Sequence, residues 1–205
     1  MGGGIYNDGS LTVSGSTISG NTATTAGGGV ANENGATALI VNSTFNGNTA
    51  ISGDGGAITS GSSTLSVMMS SISGNTAGAD GGGIFIAASD PVTLTNSIVA
   101  SNTAQTSDDI SGTFTDGSGN VITPTSPIKL GALGNYGGPT QTMLPQPGSP
   151  AICAGDATKV SAGTTTDQRG FPIGAAKYCS SGQIDSGAVQ TRYTSIQFTN
   201  KGTGG

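Results

Sequence analysis

Residues 16–23 read Ser-Thr-Ile-Ser-Gly-Asn-Thr-Ala, and the phrase returns as STFNGNTA from Ser43, SSISGNTA from Ser70 and SIVASNTA from Ser97. The spacing never changes, so Asn21, Asn48, Asn75 and Asn102 stand at equivalent positions, each followed by Thr-Ala. A fixed period of roughly 27 residues marks a repeat architecture. Working upstream, each copy follows a glycine cluster and an aliphatic residue: GGGI at Gly2–Ile5, GGGV at Gly27–Val30, GGAI at Gly55–Ile58 and GGGI at Gly81–Ile84. Superposed, the copies give vertical columns. Ile18, Phe45, Ile72 and Val99 form one; Val13, Ile40, Val67 and Leu94 another; Leu11, Ala38, Leu65 and Val92 a third.

Between the columns lie short runs of alternating apolar residues, such as Leu11-Thr12-Val13, bounded by Gly, Asn, Asp and Ser turns. No stretch has a helical apolar period. Three short strands and three turns fill one period, which is one circuit of a parallel β-helix, with equivalent strands about 4.8 Å apart in successive coils. Parallel connections are strongly right-handed. The expected fold is therefore all-β: a right-handed, single-stranded parallel β-helix of four to five coils over residues 1–122, which resembles the pectin-lyase-like solenoids. Inward aliphatics stack coil on coil, each contributing about 1.5 to 3 kcal/mol on full burial. The four Asn form an amide ladder at a turn. Thr22, Thr49, Thr76 and Thr103 form a parallel, ligand-facing column.

After Ala104 the repeat decays. Residues 109–115 and 119–122 form a degenerate fifth coil, and from Thr123 onward prolines appear and the period stops. Residues 123–190 are expected to fold back as an irregular cap over the open edge of the last coil, since an uncovered solenoid end invites aggregation. Residues 191–205 read as a linker strand to a following domain. The glycines after Met1 already belong to the first repeat and leave no room for a secretory signal, so the sequence is expected to be a fragment or to start at an artificial Met, with its true N-terminus upstream.

Composition narrows the function. Residues 1–128 hold eight acidic residues and no Lys or Arg, and all six basic residues lie from Lys129 onward. Coils without a cation cannot neutralise phosphates, so neither nucleic acid nor an anionic lipid surface is an expected partner. No apolar run is long enough to mark a membrane span. There is no His, which excludes a zinc site on ligand count and any Ser-His triad. Cys153 and Cys179 are either two buried thiols or a disulfide; the exported look of the chain favours the disulfide and an oxidising compartment.

The residues of both parts resemble known families. GGAI at Gly55–Ile58 and Phe45-Asn46-Gly47-Asn48 are similar to the GGAI and FxxN motifs of polymorphic outer-membrane-protein repeats in bacterial surface proteins. LGALGNYGGPTQTMLPQPGSPAICAGD from Leu130, TDQRGFP from Thr166 and IDSGAVQ from Ile184 resemble the C-terminal region of bacterial choice-of-anchor Q proteins. In place of that family's usual Asp and Glu stand Cys153 and Gln190, and the pair Cys153 and Cys179 looks like a disulfide-bearing subgroup. The resemblance implies an exported, modular bacterial surface protein, extracellular or outer-membrane-associated, and it does not imply a reaction.

Enzymatic readings meet poor material. Asp108 and Asp109 are adjacent, so on a strand they face opposite ways and read as solvated turn residues. No paired carboxylates are evident for glycoside hydrolysis, and the coils lack a base for a lyase. Asp54 and Asp80 precede glycine clusters; they read as turn formers, with a weak calcium site as the alternative. Asp167 and Arg169 read as a structural ion pair. The expected function is a non-catalytic structural or adhesive segment with no cofactor, whose partners are glycans, cell-surface components and further domains of the same polypeptide. The alternatives are a carbohydrate-binding or polysaccharide-degrading β-helix, and an ice- or crystal-face binder. The last is disfavoured because the positions two residues beyond the Thr column (Thr24, Ile51, Gly78) form no second Thr column.

Overall fold

The computed structural model describes residues 2–174 and 179–191. Backbone strands of successive coils pair in parallel throughout the five coils, and the ladders among the first four are in the register that the columns require. Val13 lies beside Ile40, Ile40 beside Val67 and Val67 beside Leu94. Ile18, Phe45, Ile72 and Val99 line up in the same way.

Each coil contributes to as many as four sheets, one more than the three expected. The first contains Ile5–Asn7, Val30–Glu33, Ile58–Gly61, Ile84–Ile86 and Ile110–Ser111. The second contains Ser10–Ser14, Thr37–Val41, Thr64–Met68, Val92–Thr95 and Thr115–Asp116. The third contains Thr17–Ser19, Thr44–Asn46, Ser71–Ile72, Ile98–Val99 and Val121–Ile122. The extra sheet is made of the two-residue strands Thr22–Ala23, Thr49–Ala50 and Thr76–Ala77. It is short because the Asn before it and the glycine cluster after it are turn residues. The degenerate fifth coil joins the first three sheets. It is shorter than the others, because its third-sheet strand arrives early, with Val99 paired to Ile122.

The core is a thin aliphatic filling. Val30, Ile40, Phe45, Ile58, Leu65, Val67, Ile72, Ile84, Leu94 and Val99 are all fully buried. At the two ends of the stack the equivalents Ile5, Leu11 and Ile18, and Ile110, Phe114 and Ile122, are only partly buried. Gly27, Gly55 and Gly81 have φ of 57°, 68° and 64°, turning the chain where a side chain would be strained. Beside them, a Cβ on Gly28, Gly56 or Gly82 would lie 2.2–2.4 Å from a carbonyl oxygen of the next coil. The clusters therefore let the backbones stack at sheet spacing.

The C-terminal region corrects the expected cap. It lies along the flank of the solenoid, against the corner between the second and third sheets, and reaches every coil. Thr140 Oγ1 donates to Gly15 O in the first coil at 3.1 Å, and Asn42 Nδ2 of the second donates to Thr166 O at 2.7 Å. Ala188 N donates to Ser71 Oγ of the third at 3.0 Å. Asn96 of the fourth exchanges two bonds with the backbone of Asp156, at 2.9 and 2.7 Å. Ser186 Oγ donates to Gly119 O in the fifth. Meanwhile the last-coil strand Thr115–Asp116 stays exposed and Ile110–Ser111 half-exposed. The reason is polar: that corner offers a row of Ser, Thr and Asn side chains that need partners, and the tail supplies them. A second small core forms between the two parts from Ile98, Ala100, Val121, Ile128 and Ala151. The tail is a strap. Of the expected linker strand, only Thr191 belongs to the described residues.

Candidate functional site

The Asn column is a continuous hydrogen-bond relay. Asn21 Nδ2 donates to Asn48 Oδ1 at 3.0 Å, Asn48 Nδ2 to Asn75 Oδ1 at 2.8 Å, and Asn75 Nδ2 to Asn102 Oδ1 at 2.9 Å. Each acceptor also takes the backbone N–H of the preceding Asn, at 3.2, 3.0 and 3.0 Å. Asn48, Asn75 and Asn102 donate their second amide hydrogen to a carbonyl of the coil before. These three side chains are buried and fully engaged, so they hold the turn and leave nothing for a ligand.

The relay ends on Asp109, which corrects the reading of that residue as a solvated turn Asp. Asp109 is 5% exposed. Its Oδ1 accepts both Asn102 N and Asn102 Nδ2 at 2.9 Å, and its Oδ2 accepts Thr123 Oγ1 at 2.8 Å. Asp108 is exposed and accepts the N–H of Ala104 at 2.9 Å. Asp54 Oδ1 accepts Asp80 N at 3.0 Å, closing a turn between coils.

A second relay escaped the sequence reading. Ser16, Ser43 and Ser70 each donate their N–H to the Oγ of the next serine, Ser97 included, at 3.2 Å, and each hydroxyl donates back to a carbonyl two residues earlier. Ser97 N passes to Asn120 Oδ1 at 2.9 Å, and Asn120 Nδ2 to Asp116 Oδ1 at 2.7 Å. The signal was present, because all four serines begin the quoted repeats.

The Thr column stands directly beside the Asn relay and has the opposite character. Thr22, Thr49 and Thr76 are in Cα register, and Thr103 bridges to Thr76. Thr22, Thr76 and Thr103 are exposed, and Thr49 is half-exposed. Two residues on, Ile51 is 61% exposed where a second Thr column would need a hydroxyl.

On the far side, the Glu33 carboxylate lies over Gly61, with Glu33 and Gly61 paired in register, and Ser60 Oγ is 3.4 Å from Asp90 Oδ2. Burial pushes the Glu33 carboxyl up from its ordinary value, and the negative charge of Asp90 acts in the same direction. Carboxylates of the second and fourth coils thus flank the third-coil residues Ser60 and Gly61, a placement that their distance in sequence hid. Asp90 also borders a shallow groove of about 170 Å³ with Pro91, Val92, Thr113, Phe114 and Thr115.

In the strap, Cys153 and Cys179 form a disulfide. Asp185 lies close to both sulfurs, but bonded sulfurs are not thiolate ligands. Its carboxylate is already committed to Cys153 N at 2.9 Å and to the backbone and hydroxyl of Thr191. Asp167 and Arg169 form a buried ion pair at 2.8 Å. Asp167 also accepts the N–H groups of Arg169, Phe171 and Gln190, and the guanidinium lies 4.7 Å from the Phe171 ring. Gln190 accepts Asp185 N at 2.9 Å and donates to Asp185 O at 2.8 Å, a double role that a carboxylate could not fill. These polar residues tie the strap's turns to one another.

Registered parallel sheets, stacked Asn and an aliphatic interior define a parallel β-solenoid. A family model described as the right handed beta helix region matches residues 1–124, and the chain belongs to that family. Fold and family together fit a β-helix surface or carbohydrate-related protein. No curated protein and no solved structure matches the chain. Among the described residues, no helix is long and apolar enough to cross a membrane.

Proposed function

We propose that the chain is a non-catalytic structural and adhesive segment of an exported bacterial surface protein, of the choice-of-anchor Q type with polymorphic outer-membrane-protein-like repeats. Its Thr column and neighbouring polar turns present hydroxyls to glycans or cell-surface components. One observation carries the reading: beside a buried relay that uses up its own hydrogen bonds, Thr22, Thr49, Thr76 and Thr103 form an exposed row in inter-coil register. Repeated hydroxyls at sheet spacing suit a repeating polar polymer better than a single small molecule. The disulfide supports an oxidising, extracellular setting. The buried acids of the strap are spent on backbone N–H groups, which supports a scaffold role.

The test is an array of neutral and acidic glycans, with and without calcium, read for both binding and product release. Binding that Thr49→Val and Thr76→Val together abolish supports the adhesive reading. A polysaccharide-degrading activity is the second reading, and the placement of Glu33 and Asp90 on either side of Ser60 and Gly61 is the observation that favours it. Release of reducing or unsaturated sugar, lost in Glu33→Gln, would replace the first reading with the second.

A further inference from the structure

The two ends of the solenoid differ in hydrogen-bond polarity. Along both relays the donors point toward the C-terminal end: each Asn and each Ser of one coil gives its N–H to the side chain of the next. At that end the relays stop on carboxylates, Asp109 for the Asn relay and Asp116, through Asn120, for the Ser relay. A carboxylate only accepts, so nothing is handed further.

The opposite end has no such stop. Asn21 Oδ1 occupies the position at which Asn48, Asn75 and Asn102 each receive two donors from the coil before, and it receives none among the described residues. Asn21 Nδ2, whose counterparts donate to a carbonyl of the preceding coil, turns back to Ser19 O at 3.3 Å. The backbone repeats the pattern. Thr44 and Thr49 donate to Ser16 O and Asn21 O at 2.9 and 2.8 Å, and Ser71 and Thr76 donate likewise to Ser43 O and Asn48 O. The matching amides of Thr17 and Thr22 face the side on which a preceding coil would lie. Ile5, Leu11 and Ile18 are only partly buried there, whereas Ile58, Leu65 and Ile72 are completely covered.

We propose that this edge is a docking surface for one further coil of the chain's own repeat, carried on the same polypeptide ahead of Gly2. The coil must bring an Asn whose N–H and Nδ2 reach Asn21 Oδ1, a backbone N–H for Ser16 Oγ, carbonyls for the Thr17 and Thr22 amides, and aliphatic residues over Ile5, Leu11 and Ile18. A second copy stacked head to tail does not meet this demand, because its exposed terminus presents Asp109, an acceptor, to the acceptor Asn21 Oδ1.

The experiment replaces Met1 with a copy of residues 27–54, whose natural successor, Gly55, is the counterpart of Gly2. Backbone hydrogen exchange is read in the full chain with and without the graft. Exchange at Thr17 and Thr22 is expected to slow at least ten-fold, with a rise in thermal midpoint. A second graft, in which the Asn48 and Ser43 counterparts are Leu and Ala, is expected to lose at least half of that protection. Unchanged exchange at Thr17 and Thr22 with the unaltered graft would overturn the proposal. So would equal protection by both grafts, which would reduce the edge to unspecific apolar cover. Concentration-dependent dimerisation of the ungrafted chain that protects the same amides would also overturn it, by making a second copy the occupant. None of these outcomes depends on glycan binding.

Discussion

The coils and the strap solve the same problem in opposite ways. In the coils a polar group meets its own equivalent one coil away, so a single choice, such as Asn at position 21, satisfies itself at 48, 75 and 102. In the strap the bonds to the coils join unlike partners far apart in sequence. Gln168 Nε2 lies 3.1 Å from both Ser16 O and Thr17 Oγ1, and Gln168 Oε1 accepts from Thr44 Oγ1 at 2.6 Å. Repetition spreads the load over copies, whereas the strap depends on single residues. A substitution in the strap should therefore unfasten a region, and one in the coils should weaken a stack that still stands.

The largest expected effect is that of Asp167→Ala. It leaves the buried Arg169 guanidinium without its carboxylate and three backbone N–H groups without an acceptor. The expected cost is about 3–5 kcal/mol, read in urea denaturation as an early transition of residues 123–190 ahead of the coils. If both parts melt together at the original midpoint, the contrast between coils and strap is broken. Next, replacing both Cys153 and Cys179 with Ser should cost about 3–4 kcal/mol in the chain-entropy model. Calorimetry should place that loss in the strap. In the coils, Asn75→Leu removes amide partners on both sides of a buried position and should cost about 2–3 kcal/mol. Exchange at Asn48 and Asn102 should accelerate while the first-coil amides hold.

The smallest effect is electrostatic. Glu33 has a raised folded-state value, so the native state holds its proton more tightly than the unfolded chain does. Its ionisation therefore costs stability above the ordinary carboxylate range, and that cost disappears as pH falls through the raised value. Glu33→Gln should stabilise slightly at pH 7 and remove that pH dependence from the midpoint, by less than about 1 kcal/mol because the group is partly solvated. Asp156 behaves oppositely. The Thr158 hydroxyl, followed by the Thr158 N–H, lowers its value, so the stability it lends is present above the ordinary carboxylate range and is lost as pH falls through the lowered value. Chemical shifts of the two carboxyls across an acid titration check both directions.

The coils were legible in the sequence because four copies give each position three others to be compared with. The columns at Val13 and Ile18, the Asn relay and the exposed Thr row all follow from that alignment. Asp109 was misread because the fifth coil is shortened: beyond Asn102 there is no copy that shows the carboxylate standing in for a fifth Asn. The fourth sheet was missed because two-residue strands carry no alternation. The strap's position was hidden for a different reason. Its bonds join residues far apart along the chain, such as Ala188 with Ser71 and Gln168 with Ser16, and no local pattern encodes such pairs. The placement of Glu33 and Asp90 on either side of Ser60 and Gly61 belongs to the same class, since it depends on which coils lie next to the third.

The strap also works as a ruler. It is fastened near Gly15 at one end and Gly119 at the other, with fixed attachments at Asn42, Ser71 and Asn96 between them. Duplicating one repeat inside that span would move every attachment on one side of it by about 4.8 Å. Thr166 or Asp156 would then face the wrong coil. A duplication ahead of Gly2 moves nothing that the ruler touches. Tandem copying that keeps every attachment in place is therefore confined to the side ahead of Gly2, and the five coils next to the strap form a block whose number is held constant.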